Sequence, residues 1–120
     1  MNRILSLALT AVAVTGAVAL PGTASAASAD CSFTRTVCLW DGTDYTGARF
    51  TVQAIDPNTG TCVDLAAHGW GNGRAESGLN TGTRTAVLYT GTNCTGTAYQ
   101  LVPQGGYGSI SFGSNSIRVY

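Results

Sequence analysis

The sequence predicts an all-β domain, a sandwich of about eight antiparallel strands in two packed sheets. Three observations lead there. The stretch Trp40-Asp-Gly-Thr-Asp-Tyr45-Thr-Gly47 returns 49 positions later as Tyr89-Thr-Gly-Thr-Asn-Cys94-Thr-Gly96, and a repeat at a fixed offset signals a duplicated supersecondary unit. The offset holds beyond the motif, where Leu39 matches Leu88, Phe50 matches Tyr99 and Val52 matches Leu101. Second, Arg49–Gln53, Tyr99–Leu101 and Ile117–Val119 alternate polar and apolar residues with period two, as half-buried strands do. Third, helix signals are nearly absent after residue 30, while turn-forming runs recur at the spacing of a small sandwich.

Taken in order, the chain opens with a basic tip at Arg3, an apolar run from Ile4 to Leu20, and Pro21-Gly22 before Ala24-Ser25-Ala26. This is the pattern of a secretory signal peptide with an Ala-x-Ala cleavage site. The apolar run is short for a membrane span and is followed by small residues. Residues 1–26 are read as the leader, with a second Ala-Ser-Ala at 27–29 extending the possible cut to Ala29. Cleavage after Ala26 leaves 94 of the 120 residues, a single small domain over 31–120. Such a chain buries roughly 60% of its unfolded surface, so covalent staples help it considerably. The exported part carries Arg35, Arg49, Arg74, Arg84 and Arg118 against Asp30, Asp41, Asp44, Asp56, Asp64 and Glu76, with no lysine. That balance gives neither a nucleic-acid footprint nor a polybasic membrane patch.

Within the domain, each motif copy reads as a folded-over hairpin. The first aromatic ends a strand, the Gly/Thr/Asp/Asn cluster turns the chain, and the last glycine supplies a positive φ or room for the fold-back. Motif one spans about 31–82 and motif two about 83–120. Turn-forming runs lie at Asp56–Gly60, Gly71–Gly73, Asn80–Gly82 and Gln104–Gly106. The expected core is Trp40, Phe50, Leu88, Tyr99, Leu101, Ile110, Ile117 and Val119. Four cysteines, Cys31, Cys38, Cys62 and Cys94, fall in the exported part; an even count in an oxidising compartment implies two disulfides, with three pairings open.

An aromatic, four residues, a second aromatic, one residue and a glycine, followed by a strand, resembles the Greek key motif of the βγ-crystallins. Two such motifs imply a βγ-crystallin-like sandwich covering roughly Cys31 to Tyr120. Together with the leader and the cysteines, the chain is most similar to the small secreted Streptomyces metalloproteinase inhibitors and their relatives. That resemblance implies a secreted inhibitor whose partner is a metalloendopeptidase. It also favours pairing Cys31 with Cys38 in a short N-terminal loop, leaving Cys62 and Cys94 to tie the two repeats together.

The repeats differ in a segment of the first, Ala66 to Glu76, which reads as an exposed loop on a rigid scaffold, the usual place for recognition. His68, Trp70, Asn72, Arg74 and Glu76 are the candidate inhibitory-loop residues. Trp70, flanked by glycines, reads equally as a cover for the open end of the sandwich. Many βγ-crystallins bind calcium through an Asn/Asp-Asn/Asp-x-x-Ser/Thr-Ser run in each motif. Here the runs are Asn72–Ser77, where Glu76 replaces a hydroxyl ligand, and Ser111–Ser116, where only the last position fits. Asn72 and Glu76 are the candidate ligands, with Asp41 as a hairpin contribution to the second run and Thr90 facing the first. The degraded pattern leaves the expectation of no cofactor.

Catalytic signals are weak. His68 is the only histidine, no His-Glu-x-x-His run or Gly-x-Ser-x-Gly elbow occurs, and Asp41 and Asp44 sit in a turn that favours Asp for its backbone bonds. A non-enzymatic function is expected. Beside the inhibitor stand two alternatives, a calcium-binding structural module and a killer-toxin-like antimicrobial or cell-wall-binding protein. The second lacks the basic or amphipathic segment of a membrane-active toxin.

Overall fold

The computed structural model describes residues 30–120; the expected signal peptide lies outside them. Among these described residues eight strands form, β1 Thr36–Trp40, β2 Arg49–Gln53, β3 Thr61–Asp64, β4 Ser77–Asn80, β5 Ala86–Tyr89, β6 Ala98–Leu101, β7 Gly106–Tyr107 and β8 Ser116–Val119. They pair antiparallel in two four-stranded sheets, ordered β2-β1-β4-β7 and β3-β8-β5-β6. The third strand of each motif therefore leaves its own sheet: β3 pairs with β8, and β7 pairs with β4. This exchange locks the two motifs into one sandwich of the βγ-crystallin type.

The repeat reappears in the backbone. Asp44 and Tyr45 in one hairpin, and Asn93 and Cys94 in the other, all take positive φ. Gly47 (φ 88°) and Gly96 (φ 92°) close the two turns, and a side chain at Gly47 would run into the Asp41 carboxylate. That carboxylate accepts the Ala48 amide at 2.8 Å, as the Thr90 hydroxyl accepts that of Thr97 at 2.9 Å. Two buried serines fasten the hairpins from below. Ser77 Oγ accepts from the Tyr45 amide (3.0 Å) and donates to Gly42 O (2.7 Å). Ser116 Oγ accepts from the Cys94 amide (2.9 Å) and donates to Gly91 O (2.6 Å).

The main core contains Leu39, Leu88, Leu101, Ile110, Ile117 and Val119, with Phe50 and Tyr99 packed half-buried against it. Trp40 is buried too, but elsewhere. Neighbours along a strand face opposite ways, so Leu39 enters the core while Trp40 lies on the outer face with Cys31 and Cys38, against Tyr45 and Leu79. Trp40 and Tyr45 meet edge to face at 5.4 Å. All of β1 is consequently buried, where period-two reasoning would leave one face to solvent. The disulfides are Cys31–Cys38 and Cys62–Cys94, and the second links β3 of motif one to the hairpin of motif two. On the chain-entropy account, closures of 7 and 32 residues contribute about 2.4 and about 3.7 kcal/mol.

Candidate functional site

One end of the sandwich gathers both hairpins and the segment leading into β4. The short helical turn Ala66–His68 stops at Gly69, whose left-handed φ of 75° reverses the chain. The Trp70 amide then donates to Leu65 O at 2.8 Å, which brings the indole inward. Trp70 is only 6% exposed and stacks on Phe50 with centroids 5.4 Å apart. Of the two readings open for Trp70, this geometry is that of the cover: the indole closes the core, because Phe50 offers it an aromatic face. Arg74 lies over the outer side of that indole at 4.2 Å. Its guanidinium also donates to Gly69 O (3.0 Å) and pairs with Asp41 (3.2 Å). His68, Asn72, Arg74 and Glu76 are exposed, and the His68 ring sits 5.6 Å from Phe50.

Asn72 and Glu76 share an open hollow of about 410 Å³ with Thr43, Ser109, Ser111 and Phe112. Asp41, the hairpin residue expected to serve the second run, does not line it. Its two carboxylate oxygens are taken by the Ala48 amide and Arg74, and these two partners, the amide first, hold its carboxyl below the usual 3.8. The hairpin residue that faces the second run is Thr43. Tight calcium sites use several carboxylates and backbone carbonyls, whereas this hollow brings one carboxylate, Glu76, and neutral oxygens. Among the described residues no three His, Cys, Asp or Glu side chains come together. Toward a hard cation the hollow therefore offers Glu76 as its single carboxylate.

Sequence reasoning missed the hairpin-locking role of Ser77 and Ser116, although both end the aligned runs. It also passed over Tyr45 as the residue that covers Trp40. Burial, and secondarily the Asp44 charge, raise the Tyr45 phenol above its ordinary value.

The sequence matches peptidase inhibitor family I36 over residues 24–101. No curated protein matches it. Solved structures do. A βγ-crystallin from Ciona intestinalis is 18% identical with a TM-score of 0.56, covering 71% of this chain and 99% of its own. A βγ-crystallin domain from Clostridium beijerinckii is also 18% identical at 0.56, covering 71% and 97%. A structure described under the evolution of the eye lens βγ-crystallin domain fold is 13% identical at 0.61, covering 72% and 86%. At these identities the likeness concerns the fold alone.

Proposed function

Because the chain belongs to peptidase inhibitor family I36, we propose that it is a secreted proteinaceous inhibitor that blocks the cleft of an extracellular endopeptidase, with metalloendopeptidases as its target class. The family match is the observation that carries this reading. The architecture suits it. Two disulfides, two serine-locked hairpins and exchanged strands make a rigid platform, and a loop fixed in its bound shape loses little entropy on association. Disulfides of this number in a small domain fit an oxidising, extracellular compartment. Inhibition requires no catalytic group of its own, so the absence of a nucleophile-and-base motif in the sequence is no obstacle.

The test is titration of the oxidised mature chain against a thermolysin-type metalloendopeptidase and a subtilisin-type serine protease, with and without millimolar calcium. Stoichiometric inhibition of the metalloenzyme alone supports the reading in full. Inhibition of the serine enzyme alone keeps the inhibitor and replaces its target class. Inhibition of neither, with a calcium-dependent rise in melting temperature, replaces it by a metal-stabilised structural module.

A further inference from the structure

Ile55 is 92% exposed, while Phe33 and Val102 are 46% and 47% exposed. A single exposed apolar side chain is ordinary on a soluble protein; the loop that presents Ile55 is not. Ala54, directly before it, is buried. The Ile55 amide donates to Thr61 Oγ1 at 3.0 Å. The Asn58 amide donates to Asp56 Oδ1 at 2.9 Å, and that of Gly60 to Asp56 O at 2.8 Å. Arg84 reaches across from motif two, its Nη1 donating to Pro57 O and Asn58 O, each at 3.2 Å. The same guanidinium rests 4.0 Å from the centre of the Tyr120 ring. Pro57 fixes its own φ and biases Asp56 toward an extended backbone. Cys62, immediately after Thr61, is tied to Cys94. Hydrogen bonds thus hold the loop backbone at the Ile55, Asn58 and Gly60 amides and at the Asp56, Pro57 and Asn58 carbonyls, while the Ile55 side chain is left free in water.

The second repeat serves as an internal control. At the offset of 49, Ile55 corresponds to Gln104, whose amide folds back to donate to Thr81 O and Gly82 O, both at 2.8 Å. The β2–β3 connection is also longer than its β6–β7 counterpart by three residues. Extra length and a change from polar to apolar therefore coincide in one loop. The segment His68–Glu76 lies at the other end of β2. That strand begins beside Trp40, whose carbonyl accepts the Glu76 amide, and ends beside Thr36, from where the Ile55 loop departs.

We infer that Ile55 is the anchor that enters an apolar primary specificity pocket of the protease, and that Ile55–Gly60 is the contact loop. This rests on the inhibitor reading above. A few anchors carry most of the energy of such interfaces, and a branched apolar side chain on a braced loop gains burial without a large ordering penalty.

The experiment measures inhibition constants of the full mature chain and its variants against the endopeptidase that the wild type inhibits, with melting temperatures alongside. Ile55→Asp is expected to raise the constant about 100-fold or more and Ile55→Ala about 30-fold, the scale of an interface hot spot. Ile55→Val retains inhibition. Ala98→Asp adds the same charge at the exposed start of β6, at the hairpin end, and leaves inhibition unchanged. Melting temperatures stay at the wild-type value for the Val and Ala variants, which decide the matter if Ile55→Asp is unstable. Wild-type inhibition that survives in Ile55→Asp and Ile55→Ala overturns the anchor and leaves the inhibitor reading intact. A wild-type chain that inhibits no endopeptidase overturns the inhibitor reading itself, and the anchor with it.

Discussion

Replacing Trp70 by alanine asks whether the segment from His68 to Glu76 is a free loop or a piece of the core. The indole is 6% exposed, stacked on Phe50 and covered by Arg74. A buried tryptophan removes about 150–250 Å² from water, which at about 25 cal/mol per Å² is roughly 4–6 kcal/mol of transfer free energy. Alanine keeps part of that area and the site relaxes, so the net loss is expected at about 3–5 kcal/mol, the usual range for such truncations. For a domain of this size, that lowers the melting temperature by roughly 15–30 °C. Urea and thermal unfolding followed by far-ultraviolet circular dichroism measure it directly. Trp70→Phe, which keeps a ring against Phe50, should lose less than half as much. Combining Trp70→Ala with Phe50→Ala should cost less than the sum of the two, because they share one contact. A Trp70→Ala protein with unchanged stability but lost inhibition would refute the burial argument and restore Trp70 as a contact residue.

The two serine locks make equivalent bonds, so Ser77→Ala and Ser116→Ala should each cost about 1–3 kcal/mol by leaving hairpin backbone groups unpaired. Amide exchange should accelerate at Tyr45 in the first variant and at Cys94 in the second; exchange unchanged at these amides would dismiss the locks. Replacing Cys62 and Cys94 together by alanine should destabilise by about 3.7 kcal/mol, against about 2.4 for Cys31 and Cys38. The reverse order in urea unfolding would show that loop length does not govern the staples here. Asp41 sets an acid limb. Its carboxyl is held below 3.8 in the folded chain, so its contribution is present above that value and is lost as pH falls through the lowered one. Thermal unfolding of Asp41→Asn across the acid range should lack this component; an acid limb identical to wild type would show that the Ala48 and Arg74 contacts do not couple to folding.

The sequence by itself determined whatever depends on neighbours in the chain. Hairpin turns are set by glycine, by Asp and Asn bonding nearby backbone, and by the aromatic at the strand end, so the repeat announced both of them. Period-two alternation located β2, and the parity that turns Phe50, Val52 and Ala54 inward turns Ile55 outward, a signal present in the sequence but obscured because an isoleucine reads by default as core. The tertiary structure decided what depends on distant partners. The exchange of β3 and β7 between sheets pairs strands far apart in sequence, and no local pattern encodes it. Trp70 looks like a loop residue among glycines and becomes core only because Phe50, 20 positions earlier, supplies a face. Asp41 looks like a free ligand until Arg74, 33 positions on, takes its oxygen. Local backbone preferences act within a few residues, whereas burial and charge pairing act across whatever distance the folded chain closes.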